Sequence, residues 1–179
     1  HGWAAAYAVR GAALAACAFV VRGSGTGLVA TAPAVDASLG SPGAVSAERL
    51  RWTVLALVPS ALLLGVTRYV TTDVAPVPLL WVIPLALYLL SFVAAFAERA
   101  RVPNEILEPL FAAALALLAL LAALGVNRPL WSIAGAHLAA VALASLVCHQ
   151  ALADRRPAPE RLTEFYLFVS LGGLAGGVF

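Results

Sequence analysis

Residues 66–96, VTRYVTTDVAPVPLLWVIPLALYLLSFVAAF, decide how this chain is read. A polar cluster, Arg68, Thr71, Thr72 and Asp73, separates two long apolar runs, and prolines follow at Pro76, Pro78 and Pro84. A stretch that only faces lipid needs neither ionisable groups nor helix breakers, so both ask for a reason. The runs themselves have the length that crosses a bilayer. A membrane helix needs roughly 20 mainly apolar residues, because a rise of about 1.5 Å per residue must span about 30 Å of hydrocarbon.

Composition extends this reading to the whole chain. Of 179 residues, 63% are hydrophobic and 11% charged, with a mean hydropathy of +0.95. Soluble domains are about 45–50% apolar and about 25% charged. A water-soluble fold of this size has no interior large enough to hide so much apolar surface, which leaves the lipid bilayer as the solvent.

Six segments approach the required length: Trp3–Val21, Trp52–Val70, Pro78–Phe96, Ile106–Leu124, Leu130–His149, and one that begins near Leu162 and is cut off at Phe179. The expected fold is all-α, a polytopic transmembrane bundle of about six helices with the last truncated. Residues 23–48, rich in Gly, Ser, Ala and Pro, lack an apolar period and read as a flexible linker within this single domain. The chain opens at His1 and stops inside an apolar run, so it is expected to be an internal piece of a longer polypeptide.

All eleven basic residues are Arg. Alternate links carry eight of them (Arg22, Arg49, Arg51, Arg99, Arg101, Arg155, Arg156, Arg161), and the remaining links carry Arg68 and Arg128. The positive-inside rule then puts the Arg-rich links in the cytoplasm of a bacterial inner-membrane protein. The N-terminus and the Asp73 loop fall on the other side. Because the arginines sit in short links rather than on one stripe, they give no support to a nucleic-acid partner. Trp3, Trp52, Trp81 and Trp131 lie near predicted helix ends, as in an interfacial aromatic belt.

Arg68, Thr71, Thr72 and Asp73 form the first candidate site. Two hydroxyls, a carboxylate and a guanidinium at the membrane edge suit a cation or a polar substrate. The plainer alternative is that Asp73 caps the next helix and pairs with Arg68. Pro59 and Pro84 fall inside apolar runs and are expected to kink their helices, either as hinges or as static bends. Gly172/Gly176 and Gly173/Gly177 are overlapping GxxxG pairs, a helix-packing signal. Pro129 is expected to open the fifth segment, and Thr163 to cap the sixth.

Arg10, midway along the first segment, either snorkels to the membrane surface or meets a partner carboxylate. His137 lies mid-segment, and His149 twelve residues later points about 120° away, so one helix cannot clamp a metal with both. Cys148, His149, Glu164 and Tyr166 fall near the cytoplasmic edge, His149 as an interfacial group. Glu164 and Tyr166 are placed to touch a soluble domain. The two cysteines, Cys17 and Cys148, have no metal-ligand spacing. The residues offer no catalytic constellation, no nucleotide loop and no cofactor or metal motif.

Three stretches resemble one family: VPSALLLGVTRYVTTDVAPVPLLWVIPLALYLLSF (58–92), CHQALADRRPAP (148–159) and LTEFYLFVSLGGLAGGVF (162–179). The chain resembles the membrane portion of bacterial spermidine-synthase-like proteins, also described as fused MFS/spermidine synthases. The resemblance implies a multi-helix membrane domain joined to a soluble aminopropyltransferase-type domain acting on a polyamine, and none of that domain's motifs is in this chain. Asp73, Pro76, Pro78, Trp81, Pro84, Tyr88, Cys148, His149, Thr163, Phe165, Tyr166, Gly172, Gly173, Gly176 and Gly177 carry over as pattern residues without assigned roles. Three functions stay open. The chain is a non-catalytic anchor or structural subunit of a larger membrane assembly, a transporter-like module for a small cation or polyamine, or the membrane part of an active aminopropyltransferase-type enzyme.

Overall fold

The computed structural model describes residues 42–74, 79–97, 101–125 and 129–178, and among them the chain is helical. Helix α1 runs Pro42–Tyr69 and passes into a π-helical turn at Val70–Val74. Helix α2 is Val82–Phe96, α3 is Asn104–Ala123 and α4 is Leu130–Asp154. A 3₁₀ turn at Pro159–Arg161 leads into α5, Leu162–Val178. These are five α-helices among the described residues; the expected segment Trp3–Val21, with Arg10 and Cys17, lies outside them.

Three of the five, counted over Val45–Thr72, Asn104–Ala123 and Leu130–Asp154, are long and apolar enough to cross a membrane. Helix α2 is apolar but has 15 residues, about 22 Å at 1.5 Å per residue. It starts later than the expected Pro78. Leu79, in the left-handed region at φ 71°, opens a turn just before it, closed by the Val82 N–H on the Leu79 carbonyl at 3.0 Å. Pro84 is the third residue of α2, where the backbone N–H has no intrahelical acceptor. Pro84 therefore sits in the opening turn of α2, where it removes no intrahelical bond. Pro59 does lie inside α1, fully buried, and removes one bond to the carbonyl a turn earlier.

Two further boundaries differ from expectation. The linker read through residue 48 gives way to helix at Pro42, since proline suits a first turn and Ala47 and Glu48 are good helix formers. Glu48 then pairs with Arg51 at 3.7 Å and with Arg155 at 3.9 Å. Thr163 does not cap α5, because the preceding 3₁₀ turn carries the chain into the helix at Leu162. Pro129 precedes α4 in extended conformation, as expected.

Helices α1 and α4 make the centre. Helix α5 lies along α1, α2 packs mainly on α4 with a smaller contact to α1, and α3 touches α4 alone among the described elements. The core joins Trp52, Leu55, Val58, Leu62 and Val66 of α1 to Val141, Ala144, Val147, Cys148 and Leu152 of α4, with Leu107 and Phe111 from α3 and Phe165 from α5. Trp81 and Trp131 are exposed at helix starts, but Trp52 is 1% exposed and packs edge-on against Phe165 at 5.3 Å. It is a core residue because α5 crosses α1 there, not a member of an interfacial belt.

The α1–α5 contact depends on missing side chains. A Cβ on Gly172 would strike the Thr53 carbonyl and lie 3.0 Å from the Ala56 Cβ. A Cβ on Gly176 would strike the Leu57 carbonyl and lie 2.8 Å from the Ser60 Cβ. The two GxxxG pairs therefore separate. Gly172 and Gly176 hold α5 on α1, whereas Gly173 meets only the Ser60 hydroxyl at 3.7 Å and Gly177 faces open space.

Candidate functional site: a buried polar layer between α1, α2 and α4

Position 149 puts an imidazole on the inner face of α4, a little over one turn before the helix ends at Asp154. His149 is 1% exposed, so the interfacial position expected from the sequence is corrected. The rings of Tyr88 and Phe92, one turn apart on α2, meet it edge-on at 5.0 and 5.1 Å and cover it. Between them Ser91 sits 3.0 Å from His149 Nδ1. The Ser91 hydroxyl also donates to the Tyr88 carbonyl at 2.7 Å. A hydroxyl has one proton to give; spent on that carbonyl, it leaves Ser91 Oγ to accept from Nδ1–H. In that arrangement Nε2 is the acceptor nitrogen of the neutral ring.

The layer continues in both directions. Tyr88 OH lies 3.4 Å from Ser60 Oγ on α1, next to Pro59. Ser145, one turn before His149, is fully buried, and its hydroxyl has no partner among the described residues. Gln150 is buried too; its Nε2 donates to the Val102 carbonyl at 3.2 Å, and its Oε1 has no partner among the described residues. Cys148, buried beside His149, is in no disulfide among the described residues. Buried polar groups normally find partners, so this concentration within two turns of one helix is unusual. The signal is present in the sequence as Tyr88, Ser91 and Phe92, spaced to share one helical face, and Ser145 and His149, four apart. Sequence reasoning singles out Tyr88, Cys148 and His149 among these and misses Ser60, Ser91, Ser145 and Gln150.

The cluster first expected to carry function is described in part. Arg68 and Thr72 are exposed. Thr71 donates back to the Thr67 carbonyl at 2.8 Å within the end of α1. The backbone of Asp73 is in the π-helical turn, while its side chain lies outside the described residues, as do Pro76 and Pro78. Nearby, the Tyr69 ring stacks at a tilt on His137 at 4.7 Å, and His137 Nδ1 lies 2.8 Å from the Ile133 carbonyl. Among the described residues no group of three or more His, Cys, Asp or Glu side chains is placed to hold a metal ion.

The opposite end of the bundle is a charged rim. Glu164, half-buried in the first turn of α5, accepts from Arg49 of α1 and from Arg161 at 3.0 Å. Arg49 also lies over the Phe168 ring at 5.5 Å, and Arg161 over Trp52 at 5.7 Å. Glu164 thus clasps α5 to α1, while Tyr166 is exposed. Hydrogen bonds from Arg161 and then Arg49 hold the Glu164 carboxyl, which precedes the apolar stretch 165–178, below its ordinary value. A carboxylate depressed in the folded state stabilises the fold above its ordinary value, and that contribution disappears as pH falls through the folded-state value. The clasp is expected to open on acidification below the usual carboxylate range, and Glu164→Gln to blunt that response. Equal acid sensitivity of thermal unfolding in the two proteins would refute the clasp.

No family model, curated protein or solved structure matches this chain.

Proposed function

We infer that the chain is the non-catalytic membrane module of a spermidine-synthase-like protein, acting as an anchor or structural subunit of a larger membrane assembly. The observation that carries this reading is the α1–α5 seam. Backbone carbonyls of Thr53 and Leu57 fill the places of the side chains that Gly172 and Gly176 lack, and the Arg49–Glu164–Arg161 clasp closes one end. Such a joint favours a rigid support over a moving part. Exposed leucines on α2, α3 and α5 supply apolar surface for lipid and for neighbouring helices. Extraction of the native protein in mild detergent tests it. The expected result is a particle heavier than this sequence, whose extra mass includes a soluble synthase-type domain or stably bound membrane subunits. A chain that purifies alone, with neither, overturns the inference.

A second reading, a transporter-like module for a small cation or polyamine, is favoured by the buried layer around His149. Intramembrane ionisable groups are functional candidates by default. Under that reading Asp73→Asn or His149→Phe abolishes uptake of a radiolabelled polyamine into proteoliposomes while the protein stays folded. Unchanged uptake in both variants, or none in the parent protein, eliminates it.

A further inference from the structure

Helices α2 and α5 both lean on α1, yet among the described elements they do not touch each other. Ser60 of α1 stands between them. Its Oγ lies 3.4 Å from Tyr88 OH of α2, and both residues are half-buried. On the α5 side the neighbour is Gly173, where a Cβ would lie 3.7 Å from the same Oγ and is missing. We propose that this groove over α1 seats the chain's own first apolar segment, Trp3–Val21, with the Arg10 guanidinium donating to the Ser60 and Tyr88 oxygens. The proposal needs only that the bundle sits in a bilayer, and it stands whichever assembly the module serves.

Depth selects this occupant. Arg10 is twelve residues from Arg22 in the Arg-rich link, about 18 Å along a helix. Gly173 is twelve residues from Arg161 at the charged rim, and Ser60 is eleven from Arg49. Guanidinium and hydroxyls therefore fall at one level of the bilayer. A lone cation there is costly, and such residues face the bundle and pair. The described carboxylate side chains, Glu48, Glu105, Glu108, Asp154, Glu160 and Glu164, all sit toward the rim, so none stands at the level of Arg10. Two hydroxyls that share one hydrogen bond keep lone pairs on both oxygens, and a guanidinium brings five N–H donors.

Shape and reach agree. Ala6, Ala13 and Cys17 share the face of Arg10 at helical spacing, so the segment offers small side chains around the guanidinium. Opposite them Gly173 has no side chain, and at Gly177, one turn on, a Cβ would meet nothing within 4 Å. Small residues on both sides let two membrane helices close on each other. Residues 22–41 reach up to about 65 Å when extended, ample to bring the chain from the segment back to the start of α1 at the same rim.

The test is disulfide trapping in native membranes, using the full chain and its own Cys17. Cys17 lies seven residues rimward of Arg10, as Tyr166 lies seven residues rimward of Gly173, so Tyr166→Cys supplies the partner thiol. Ser170→Cys, between the two on the same face, is a second trap. Oxidation by copper phenanthroline should close an intramolecular bond in at least one of them, read by mass spectrometry of the linked peptides and lost with Cys17→Ser. Leu120→Cys, exposed on α3, should not react. Arg10→Leu should slow trapping about tenfold, as should Ser60→Ala combined with Tyr88→Phe, the effect expected of a charged hydrogen bond. Joining both changes should slow it no further, because they remove one interaction. Circular dichroism and monodispersity establish that each variant is folded. No trapping in either folded cysteine variant, or equal trapping at Leu120→Cys, overturns the proposal. So do bonds formed only between chains, which would give the groove to a second copy, and trapping that is indifferent to Arg10→Leu or to loss of the two hydroxyls.

Discussion

Replacing Gly176 with leucine drives α5 off α1, while the same replacement at Gly177 leaves the pair docked. The first new side chain begins inside contact distance of the Leu57 carbonyl, 2.8 Å from the Ser60 Cβ and 3.0 Å from the Ala61 nitrogen. Two of those three neighbours are backbone atoms of a helix that also packs on α4, so they have nowhere to retreat. Overpacking typically costs 1–3 kcal/mol, and with backbone as the obstacle about 3 kcal/mol or more is expected. At Gly177 a Cβ meets nothing within 4 Å. The difference in thermal unfolding midpoint between two leucine substitutions one residue apart is the measurement. Similar midpoints would mean that α5 is not seated on α1 through the Gly172/Gly176 face. Loss of a co-purifying partner in the Gly177 variant alone would assign that glycine to an external contact.

Truncating His149 to alanine should destabilise the protein by about 2–5 kcal/mol, the range for a large-to-small change at a packed site. The imidazole fills the space between the Tyr88 and Phe92 rings, and its removal opens a void there. His149→Phe keeps the volume and forfeits the Nδ1 contact with Ser91, so a smaller loss of about 1 kcal/mol is expected. Ser91 still donates to the Tyr88 carbonyl, which limits the penalty. Denaturation in mixed micelles resolves the two variants. Equal losses would show that the hydrogen bond, rather than ring packing, holds α2 on α4. No loss in either would remove the layer from the list of structural elements.

The helices were legible in the sequence because their lengths and hydropathy are coarse properties. Leu130 begins α4 and Leu162 begins α5, where the apolar runs of the fifth and sixth segments begin. Which face of each helix turns inward was not legible. A helix that is apolar all round carries no periodic signal to orient it. Hence the adjacent glycine pairs looked equivalent until the carbonyls of Thr53 and Leu57 distinguished them. Trp52 and His149 were placed at the membrane edge by counting residues from helix ends, and both are covered by side chains distant in sequence, Phe165 in one case and Tyr88 with Phe92 in the other. Pro84 falls in an opening turn rather than mid-helix because the start of α2 is set by the turn that begins at Leu79.

The solitary contact of α3 has a mechanical meaning. Pulled at the link that follows Leu124, the chain loads α3 directly; among the described elements α3 is braced by α4 alone, whereas α1 and α4 are each braced by several neighbours. Its seam holds mainly through Leu107 and Phe111, both near the charged end. The far half of the helix, from about residue 116, has little to hold it to α4, so in a force-extension trace α3 should peel from the Leu124 end as an early low-force step. The α1–α5 pair should then come out as one unit, at a force that falls when Gly176 is enlarged.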